Sequence, residues 1–448
     1  MKNLISINKN LFLKDLSIKN INYNYLNWFQ DQEIKKNIIN TEFFNLSDLK
    51  EYLVKEKRKK NTIFLGIFHK KKHIGNLKYE KIYKNSREAS FGILIGNKNY
   101  RGKEIGYKVL SKSINFFVEK YKIKKFIISS KKKNYKALNL YKKLGFRIIK
   151  YLNNRIFLEL DVFLSKVVIG TANFENIYGI RKKRVKKNNI RNILNYARKI
   201  NIKYIDTASN YGLSEKVLGN TIKNDFEIIS KFSKINFELS SVKAQIEKIL
   251  KNSLLHLRRK SIYGYLVHEA NDLISENGKK IVKALINLKK RGKIKKIGVS
   301  VYTTTELNKI LKIFKPDIIQ IPINILNQQF IKKNYLRKIQ KLGIEIHARS
   351  LFFQGLLLKN NYKFLPKKNK LRKKIEHLDS VCKKYSIPKL MLLIKFVAQI
   401  PEVNKIVVGI DSTNQLKKII NANNGSKLAV NFSRYSVTEK EILDPRLW

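Results

Sequence analysis

From about residue 166 onwards, short apolar runs alternate with segments in which apolar residues recur every three or four positions. Ile246, Ile249, Leu250 and Leu254 form one such segment. Short apolar runs bounded by polar residues predict buried strands, and the three-to-four spacing predicts amphipathic helices. Eight strands are predicted, at residues 167–169, 204–205, 227–230, 264–267, 296–299, 318–321, 345–347 and 405–408. Eight strand–helix units in this length predict a (β/α)8 barrel.

The first 162 residues follow a different order of elements. Helices are predicted around residues 25–29 and at 46–57, 105–121 and 136–144. Strands are predicted at residues 62–68, 73–80, 89–95, 125–129 and 154–160. This mixture predicts a separate α/β domain of ordinary size. We therefore expect an α/β domain at residues 1–162, followed by a TIM barrel at residues 166–448.

The chain is strongly basic, with 95 Lys and Arg residues against 33 Asp and Glu residues and a net charge of +62. Such a balance is typical of proteins that bind nucleic acid or acidic membranes. Here, however, the lysines are spread along the chain, and clusters such as Lys131 to Lys133 are short. We find neither zinc-ligand spacing nor a nucleic-acid-binding module. We expect no specific nucleic-acid partner, and a basic scaffold or nucleic-acid-binding protein with vestigial enzyme folds remains the alternative.

Several further features bear on the compartment. No run of about 18 apolar residues is present, so no membrane span is expected. The N-terminus lacks the apolar core of a signal peptide. A single cysteine, Cys382, excludes an internal disulfide. These features predict a cytoplasmic protein, and nothing in the sequence indicates its oligomeric state.

Polar residues follow several of the predicted barrel strands, where the active sites of such barrels lie. Asp206, Lys231 and His268 end three successive strands, and Tyr211 follows Asp206 in a loop. A tyrosine with an ordinary pKa of about 10 needs a nearby cation if it is to donate a proton readily at neutral pH. Each residue alone is unremarkable, but their shared position predicts an active site.

The residues from about Lys166 to Trp448 resemble the aldo-keto reductases. The matching segments are D-T-A-x-x-Y-G-x-S-E, L-V-H, G-V-S, I-I-Q, A-R-S-x-x-x-Q-G and D-P-R-x-W. The resemblance implies hydride transfer from a nicotinamide cofactor to an aldehyde or ketone. It makes Tyr211 the general acid and Lys231 the cation that lowers its pKa. Asp206 would pair with Lys231, and His268 would orient the carbonyl.

The same resemblance implies that the cofactor is NADPH, with NADH as the alternative. Ser300 and Gln320 would bind the nicotinamide carboxamide, although Val301 replaces the usual asparagine. Arg349 stands where many relatives stack an aromatic ring, and it would stack on the nicotinamide or contact phosphate. The implied cofactor-binding residues are Thr171, Ser300, Gln320, Arg349, Ser350, Gly409, Ser412 and Gln415.

In the first domain, the turn from Asn99 to Gly106 lies between a predicted strand and a helix. The free N–H groups and the dipole of a helix N-terminus favour a pyrophosphate. Together with Asn134, Ala137, Tyr141 and the segment L-G-F at 144–146, this turn resembles the GCN5-related N-acetyltransferases. The resemblance implies an acetyl-CoA site.

The resemblance also assigns roles within that site. Ile93 and Ile95 would lie along the pantetheine arm, Asn134 would contact the cofactor, and Tyr141 would protonate the departing thiolate. The residues implied at the pyrophosphate are Arg101, Gly102, Lys103, Ile105 and Gly106. Glu104 departs from the family, which has glycine there, so a domain that keeps the fold without the activity is the alternative. Tyr141 also fits the packing face of its helix.

The sequence thus predicts a bifunctional enzyme that combines carbonyl reduction with N-acetylation. The segment around Trp28 resembles acetyltransferases that act on amino groups of bacterial surface-sugar precursors. Similar segments occur in enzymes that acetylate the N-termini of ribosomal proteins. We expect sugar or nucleotide-sugar substrates in surface carbohydrate biosynthesis, with protein N-termini as the alternative for the acetyltransferase.

Overall fold

A computed structural model describes residues 4–37, 43–83, 87–121, 123–177, 184–233, 235–238, 241–359, 369–422 and 430–444. The chain divides into two compact units, Met1–Val162 and Phe163–Trp448. The P-R-x-W end of the last sequence motif, residues 445–448, lies outside the described residues. Within these ranges no helix is both long and apolar enough to cross a membrane.

One eight-stranded sheet forms the centre of the first unit, with strand order β1-β2-β3-β4-β5-β6-β8-β7. Its strands are β1 Leu4–Ser6, β2 Leu11–Asp15, β3 Ile63–His69, β4 Lys72–Tyr83, β5 Glu88–Ile95, β6 Lys125–Lys131, β7 Arg147–Leu152 and β8 Arg155–Asp161. β5 and β6 are parallel neighbours, yet only Glu88 and Ala89 pair with β6. Beyond Ala89 the two strands are no longer paired, and backbone groups are left available at this point of the sheet.

The described part of the first unit also has five α-helices: α1 Tyr23–Trp28, α2 Gln32–Asn37, α3 Leu46–Arg58, α4 Ile105–Tyr121 and α5 Tyr135–Leu144. Side-chain hydrogen bonds to backbone N–H groups stabilise the N-termini of these helices, as in α1 and α5. Asn22 accepts a hydrogen bond from the backbone of Tyr25, and Asn134 accepts one from Ala137. Gly145, with a φ of 100°, ends α5 in the left-handed region that favours glycine.

The second unit is a closed barrel of eight parallel strands, in the order β10-β11-β12-β13-β14-β15-β16-β9. The strands are β9 Val167–Gly170, β10 Tyr204–Asp206, β11 Glu227–Phe232, β12 Ile262–Val267, β13 Ile294–Ser300, β14 Ile318–Pro322, β15 Glu345–Arg349 and β16 Lys405–Gly409. The barrel interior contains a small apolar cluster that includes Val168, Ile229, Leu266 and Ile318. All eight predicted strands are therefore present, and the predicted mixed α/β fold with a barrel is confirmed.

The helices of the second unit pack their apolar faces on the outside of the barrel. In α6, for example, Ile190, Ile193, Leu194 and Ala197 are buried at three- and four-residue spacing. The helices are α6 Lys187–Lys199, α7 Ser214–Thr221, α8 Val242–Leu257, α9 Ala270–Ile274, α10 Gly278–Lys290, α11 Thr304–Ile313, α12 Tyr335–Lys341, α13 Asn369–Lys384, α14 Lys389–Ala398, α15 Thr413–Asn421 and α16 Lys440–Leu443.

Candidate active sites

A buried ion pair lies at the carboxyl ends of β10 and β11. Lys231 Nζ is 2.5 Å from Asp206 Oδ1 and also donates to the backbone oxygen of Thr207 at 2.9 Å. The two side chains are only 1% and 4% exposed. Gln320 Nε2, at the end of β14, donates to the other carboxylate oxygen of Asp206 at 2.7 Å. Three residues predicted separately from the sequence are thus joined in one hydrogen-bonded group.

The loop that carries Tyr211 is fixed to the barrel by backbone hydrogen bonds. The N–H of Ser209 donates to the carbonyl of Lys231 at 2.9 Å, and that of Tyr211 donates to Ala208 at 3.1 Å. Gly212 follows with a φ of 53°, a left-handed conformation that favours glycine. This backbone requirement explains the Tyr-Gly pair in the motif.

Tyr211 and His268 stand over the ion pair. The Tyr211 ring centroid is 5.2 Å from Lys231 Nζ and 5.9 Å from the His268 ring centroid, with the two rings nearly perpendicular. Tyr211, His268 and Asp206 line a cavity of about 360 Å³. Lys231 is not among the lining residues and lies behind Asp206. The four predicted catalytic residues therefore form one cluster at the mouth of the barrel.

The protonation of this cluster is set mainly by burial. Burial and the charge of Asp206 raise the pKa of Tyr211 well above its ordinary value, while the charge of Arg349 opposes them. Burial, together with the charges of Lys231 and Arg349, lowers the pKa of His268 to about 3. The resemblance implied a lowered pKa for Tyr211, and the structure has the opposite direction because burial and the charge of Asp206 outweigh the charge of Arg349. At neutral pH the tyrosine is protonated and the imidazole is neutral.

The other residues predicted for the barrel site divide into two groups. Thr171, Gln320, Arg349, Ser350, Gly409 and Gln415 line the same cavity as Tyr211. Ser300 is buried in β13 and is not part of the cavity lining. Ser412 is also absent from the lining, and its Oγ accepts a hydrogen bond from the Gln415 N–H at 3.2 Å, which caps α15.

Sequence reasoning missed three polar residues of this cavity. Asn173 Nδ2 donates to Asp411 Oδ1 at 2.7 Å, and both residues line the cavity wall. Tyr302 lies under Arg349, whose guanidinium carbon is 4.1 Å from the ring centroid. Asn173, Asp411 and Tyr302 each follow the end of a strand by two or three residues. This position is the sequence signal that could have identified them.

The first unit contains a larger cavity, of about 800 Å³. Among the residues predicted for this unit, those that line it are Ile93, Ile95, Arg101, Gly102, Ile105, Gly106, Asn134 and Tyr141. Lys103 lies apart from it, in a separate depression with His69 and Asn99. The cavity therefore extends along β5, where that strand has parted from β6, to the N-terminus of α4.

The predicted pyrophosphate turn is held by Arg101. Its Nε donates to the carbonyl of Ile95 at 3.0 Å and its Nη2 to that of Gly96 at 2.8 Å, while Nη1 pairs with Asp31 at 3.1 Å. Because these groups occupy the guanidinium, Arg101 fixes the turn to the end of β5. The N–H groups at the start of α4 have no acceptor within the helix.

Glu104 adopts a φ of 56°, an unusual conformation for a residue with a side chain. Its carboxylate pairs with Lys143 Nζ of α5 at 2.5 Å, and both side chains are more than half exposed. The hydrogen bond from Lys143 lowers the pKa of Glu104. The negative charge of Glu104 at the predicted phosphate site is thus balanced by Lys143, which also lines the cavity.

Tyr141 belongs both to the apolar core and to the cavity. Its ring packs near Phe91 and Phe146, with centroids about 6 Å apart, and burial raises the pKa of Tyr141 to about 12. Tyr141 thus packs in the apolar core and also borders the cavity. A part of the cavity missed from the sequence is lined by aromatic residues and one lysine: Tyr25, Phe29, Phe43, Tyr52, Phe64 and Lys78.

Comparison with known proteins places both units in enzyme families. The model of the aldo/keto reductase family matches residues 166–434, and that of the acetyltransferase (GNAT) domain matches residues 10–147. Since the first match spans more than half of the chain, the protein belongs to the aldo/keto reductase family. A GNAT acetyltransferase domain precedes the barrel along the sequence, so the protein is an enzyme with reductase and acetyltransferase domains. Aldo-keto reductases use NAD(P)H, and GNAT enzymes use acetyl-CoA.

Solved structures similar to the chain include an aldo-keto reductase from Bacillus halodurans in its holo form. It is 21% identical, with a TM-score of 0.49, covering 62% of this chain and 90% of that one. A glycerol dehydrogenase from Gluconobacter oxydans is 20% identical, with a TM-score of 0.48, covering 64% of this chain and 92% of that one. Among curated protein sequences no match was found.

Proposed function

We propose that the barrel reduces an aldehyde or ketone with NADPH, NADH being the alternative, and that the first unit acetylates an amino group with acetyl-CoA. One observation carries the reductase assignment: the buried ion pair of Lys231 and Asp206 lies directly behind Tyr211 and His268. Burying the two charges of such a pair costs desolvation energy. Buried charged groups of this kind are commonly found at functional sites. A proton donor that lines a cavity is the arrangement that carbonyl reduction requires.

In this proposal Tyr211 is the general acid. Its hydroxyl would give a proton to the carbonyl oxygen, and a reduced nicotinamide held in the cavity would supply the hydride to the carbonyl carbon. Lys231 and Arg349 stabilise the phenolate that remains, and water restores the proton. His268, which is neutral because its pKa is about 3, donates a ring N–H to the carbonyl oxygen.

The cavity residues suit a dinucleotide. Gly409 has open space where a Cβ would stand, so a ligand can approach the backbone closely. Ser412 caps the N–H of Gln415, and the N–H groups of the residues before Gln415 at the start of α15, which have no acceptor within the helix, are suited to a phosphate. We assign the nicotinamide end to Thr171, Gln320 and Arg349, and the phosphates to Ser350 and Gln415. Ser300 and Ser412 do not line the cavity, and they would hold the cofactor-binding residues in position.

For the acetyltransferase we assign the pyrophosphate to the backbone of Gly102, Ile105 and Gly106. The backbone of Ile93 and the N–H of Ile95, in the part of β5 that does not pair with β6, would hydrogen-bond the pantetheine amides, while the carbonyl of Ile95 accepts from Arg101. Asn134 contributes a polar group at the start of α5. Tyr141, whose pKa of about 12 keeps it protonated, supplies the proton to the departing thiolate.

We infer that both substrates are sugars or nucleotide sugars, as in surface carbohydrate biosynthesis in the cytoplasm. The net charge of +62 favours phosphorylated substrates over basic peptides. We propose no sequence-specific nucleic-acid partner, because the lysines are dispersed. Both kinds of acceptor can be assayed in parallel. If peptides are acetylated and amino-sugar nucleotides are not, the acceptor is a protein N-terminus.

A pair of matched variants tests the bifunctional assignment. Tyr211→Phe should slow NADPH-dependent carbonyl reduction by about a hundred- to ten-thousandfold, because only the proton donor is lost. NADPH affinity and acetyl transfer should stay at the parental level. Tyr141→Phe should show the reverse pattern. Reductase activity close to the parent in Tyr211→Phe would contradict the assignment.

A further inference from the structure

The cavity of the first unit reaches both faces of the sheet. Residues that pair across neighbouring strands carry their side chains on the same face, and successive residues along a strand point to opposite faces. Phe64, Lys78 and Gly92 pair side by side across β3, β4 and β5, and all three line the cavity. Phe91 therefore points to the other face, where its ring packs near Tyr141 of α5. Tyr141, the proposed proton donor to the cofactor thiolate, thus lies on one face, and the row that ends at Gly92 lies on the opposite face.

This opposite face of the cavity is lined by aromatic rings that contact one another. The ring centroids of Phe29 and Phe43 are 4.7 Å apart, and those of Phe43 and Tyr52 are 5.2 Å apart. Tyr25 lies 5.6 Å from Phe29, and Phe64 lies 6.1 Å from Tyr52. We call these five residues the aromatic wall. Contacting rings at the edge of a cavity offer apolar surface to a flat group on a ligand.

Gly92 leaves an open space beside the aromatic wall. It lies within β5, which has a neighbouring strand on each side, yet it is exposed, and no described atom lies within 4 Å of the position that a Cβ would occupy. Its φ is outside the left-handed region, so the backbone does not require glycine here. A glycine inside a strand often marks the close approach of a ligand. Because Ala89 is the last residue of β5 that pairs with β6, the space at Gly92 adjoins the gap between these strands.

Arg155 brings a cation to the same face on the far side of this gap. It begins β8, and the next residue, Ile156, packs in the core cluster of Phe91 and Tyr141, so Arg155 points to the face of the aromatic wall. Its guanidinium is half-buried, lines the cavity and donates to Ser129 Oγ at 2.7 Å. No described carboxylate pairs with it, whereas four other cations of the cavity each have a carboxylate partner: Lys78, Arg101, Lys136 and Lys143. A guanidinium in this state suits a phosphate on a ligand.

We propose that the aromatic wall and Arg155 bind the acceptor of acetyl transfer as a nucleotide, with its base against the wall above Gly92 and its phosphate at Arg155. This inference rests on the acetyltransferase function proposed above and narrows its acceptor to an amine attached to a nucleotide. A sugar alone lacks the flat ring that suits the wall, and a basic peptide lacks the anion that suits Arg155. The gap between β5 and β6 then connects the amine to the thioester held on the α5 face.

Binding can be measured without turnover by calorimetric titration of the full chain. The probes are uridine and guanosine 5′-diphosphates, the two nucleosides, and inorganic pyrophosphate. NADPH and coenzyme A are present throughout, so that the probes cannot occupy the proposed cofactor sites. The better diphosphate should bind about ten- to a hundredfold more tightly than its nucleoside or pyrophosphate, because stacking and charge-assisted hydrogen bonds act together.

Two variants separate the contributions of the base and the phosphate. Gly92→Leu should weaken both the diphosphate and the nucleoside by at least about tenfold, because its side chain fills the space for the base. Gly92→Ala should give a smaller effect of the same kind. Arg155→Gln should lower the affinity for the diphosphate to that for the nucleoside. Lys150→Gln removes an exposed positive charge outside the cavity, and this matched control should bind like the parent.

The outcomes separate this inference from its rivals. Equal affinity of the parent for pyrophosphate and both diphosphates would overturn it, since the base would contribute nothing. So would undiminished diphosphate binding by a Gly92→Leu variant with the parental unfolding midpoint. Acetylation of peptides and amino-sugar nucleotides is followed in parallel. If peptides are acetylated and the diphosphates do not inhibit, the acetyltransferase function stands and the nucleotide site fails. If no acceptor is acetylated, yet the diphosphates bind through Gly92 and Arg155, the acetyltransferase function fails and the nucleotide site stands.

Discussion

The two candidate sites hold their charges in opposite ways. In the barrel, the ion pair of Lys231 and Asp206 joins two adjacent strands and is almost completely buried. In the first unit, the pair of Glu104 and Lys143 joins a turn to a helix, and its side chains are 58% and 54% exposed. The barrel pair is rigid because the strands on both sides of it are hydrogen-bonded. The exposed pair is free to rearrange around a ligand.

This difference has an energetic consequence. Breaking a buried pair leaves one charge without solvent or partner, which is strongly destabilising. An exposed pair is screened by water and salt and contributes little to stability. The barrel site is therefore expected to be preorganised and intolerant of change. The acetyltransferase turn is expected to tolerate substitutions whose effects appear in ligand binding instead.

The largest expected effect is the loss of stability on breaking the barrel pair. Asp206→Ala leaves Lys231 buried and uncompensated, and should lower the free energy of unfolding of the barrel by about 3–5 kcal/mol. Urea unfolding followed by circular dichroism measures the change. Lys143→Met, which breaks the exposed pair, is the matched control and should leave the unfolding midpoint unchanged.

A double variant sharpens this test. Asp206→Leu combined with Lys231→Met removes both charges and should recover much of the lost stability, because no buried charge remains. If this double variant is no more stable than Asp206→Ala, the destabilisation arises from lost packing or from the hydrogen bond to Gln320. The contrast between the two sites would then not be electrostatic.

An intermediate effect is expected at the turn of the first unit. Glu104→Gly removes a carboxylate next to the proposed pyrophosphate site and frees Lys143, which lines the cavity. Acetyl-CoA affinity should rise about two- to tenfold, as expected for one charge interaction near the surface. Calorimetric titration of the full chain measures it. Glu104→Gly with Lys143→Met should lose most of this gain, and an equal gain in both variants would exclude Lys143 as its source.

The smallest effect is expected when the pH is varied and the rate of carbonyl reduction is measured. The pKa of His268 is about 3 and that of Tyr211 is raised, so neither group titrates near neutrality. The kcat/KM for carbonyl reduction should be flat between about pH 5 and 9, because the folded site keeps both groups neutral throughout. A loss of activity as the pH falls through about 6.5, the ordinary pKa of histidine, would show that His268 titrates normally.

The acetyltransferase serves as the internal comparison for this profile. Its amine acceptor must be deprotonated to attack the acetyl group, so its rate should rise with pH over the same range. Arg349→Gln should move the alkaline limit of the reductase further upwards, because Arg349 lowers the pKa of Tyr211. A downward movement would show that this cation does not act on the tyrosine.

The sequence by itself determined the two families, the eight barrel strands and most of the residues at the strand ends. It could do so because strand and helix periodicity is local and because motif residues follow strand ends at short intervals. It missed β1, β2, β7 and α2, which have only three to six residues each. Barrel strands of similar length were predicted because their alternation with helices repeats along the chain. It also missed Tyr302 and Asn173, which stand outside the recognised motif residues.

Only the tertiary structure decided how these residues are paired and charged. Gln320 meets Asp206 across 114 residues of sequence, and Arg101 meets Asp31 across 70. Glu104 turns to Lys143, which explains how a carboxylate is accommodated in a turn that otherwise favours glycine. The direction of the pKa shift of Tyr211 was wrongly inferred, because desolvation depends on all the atoms packed around a group and not on its nearest motif partner.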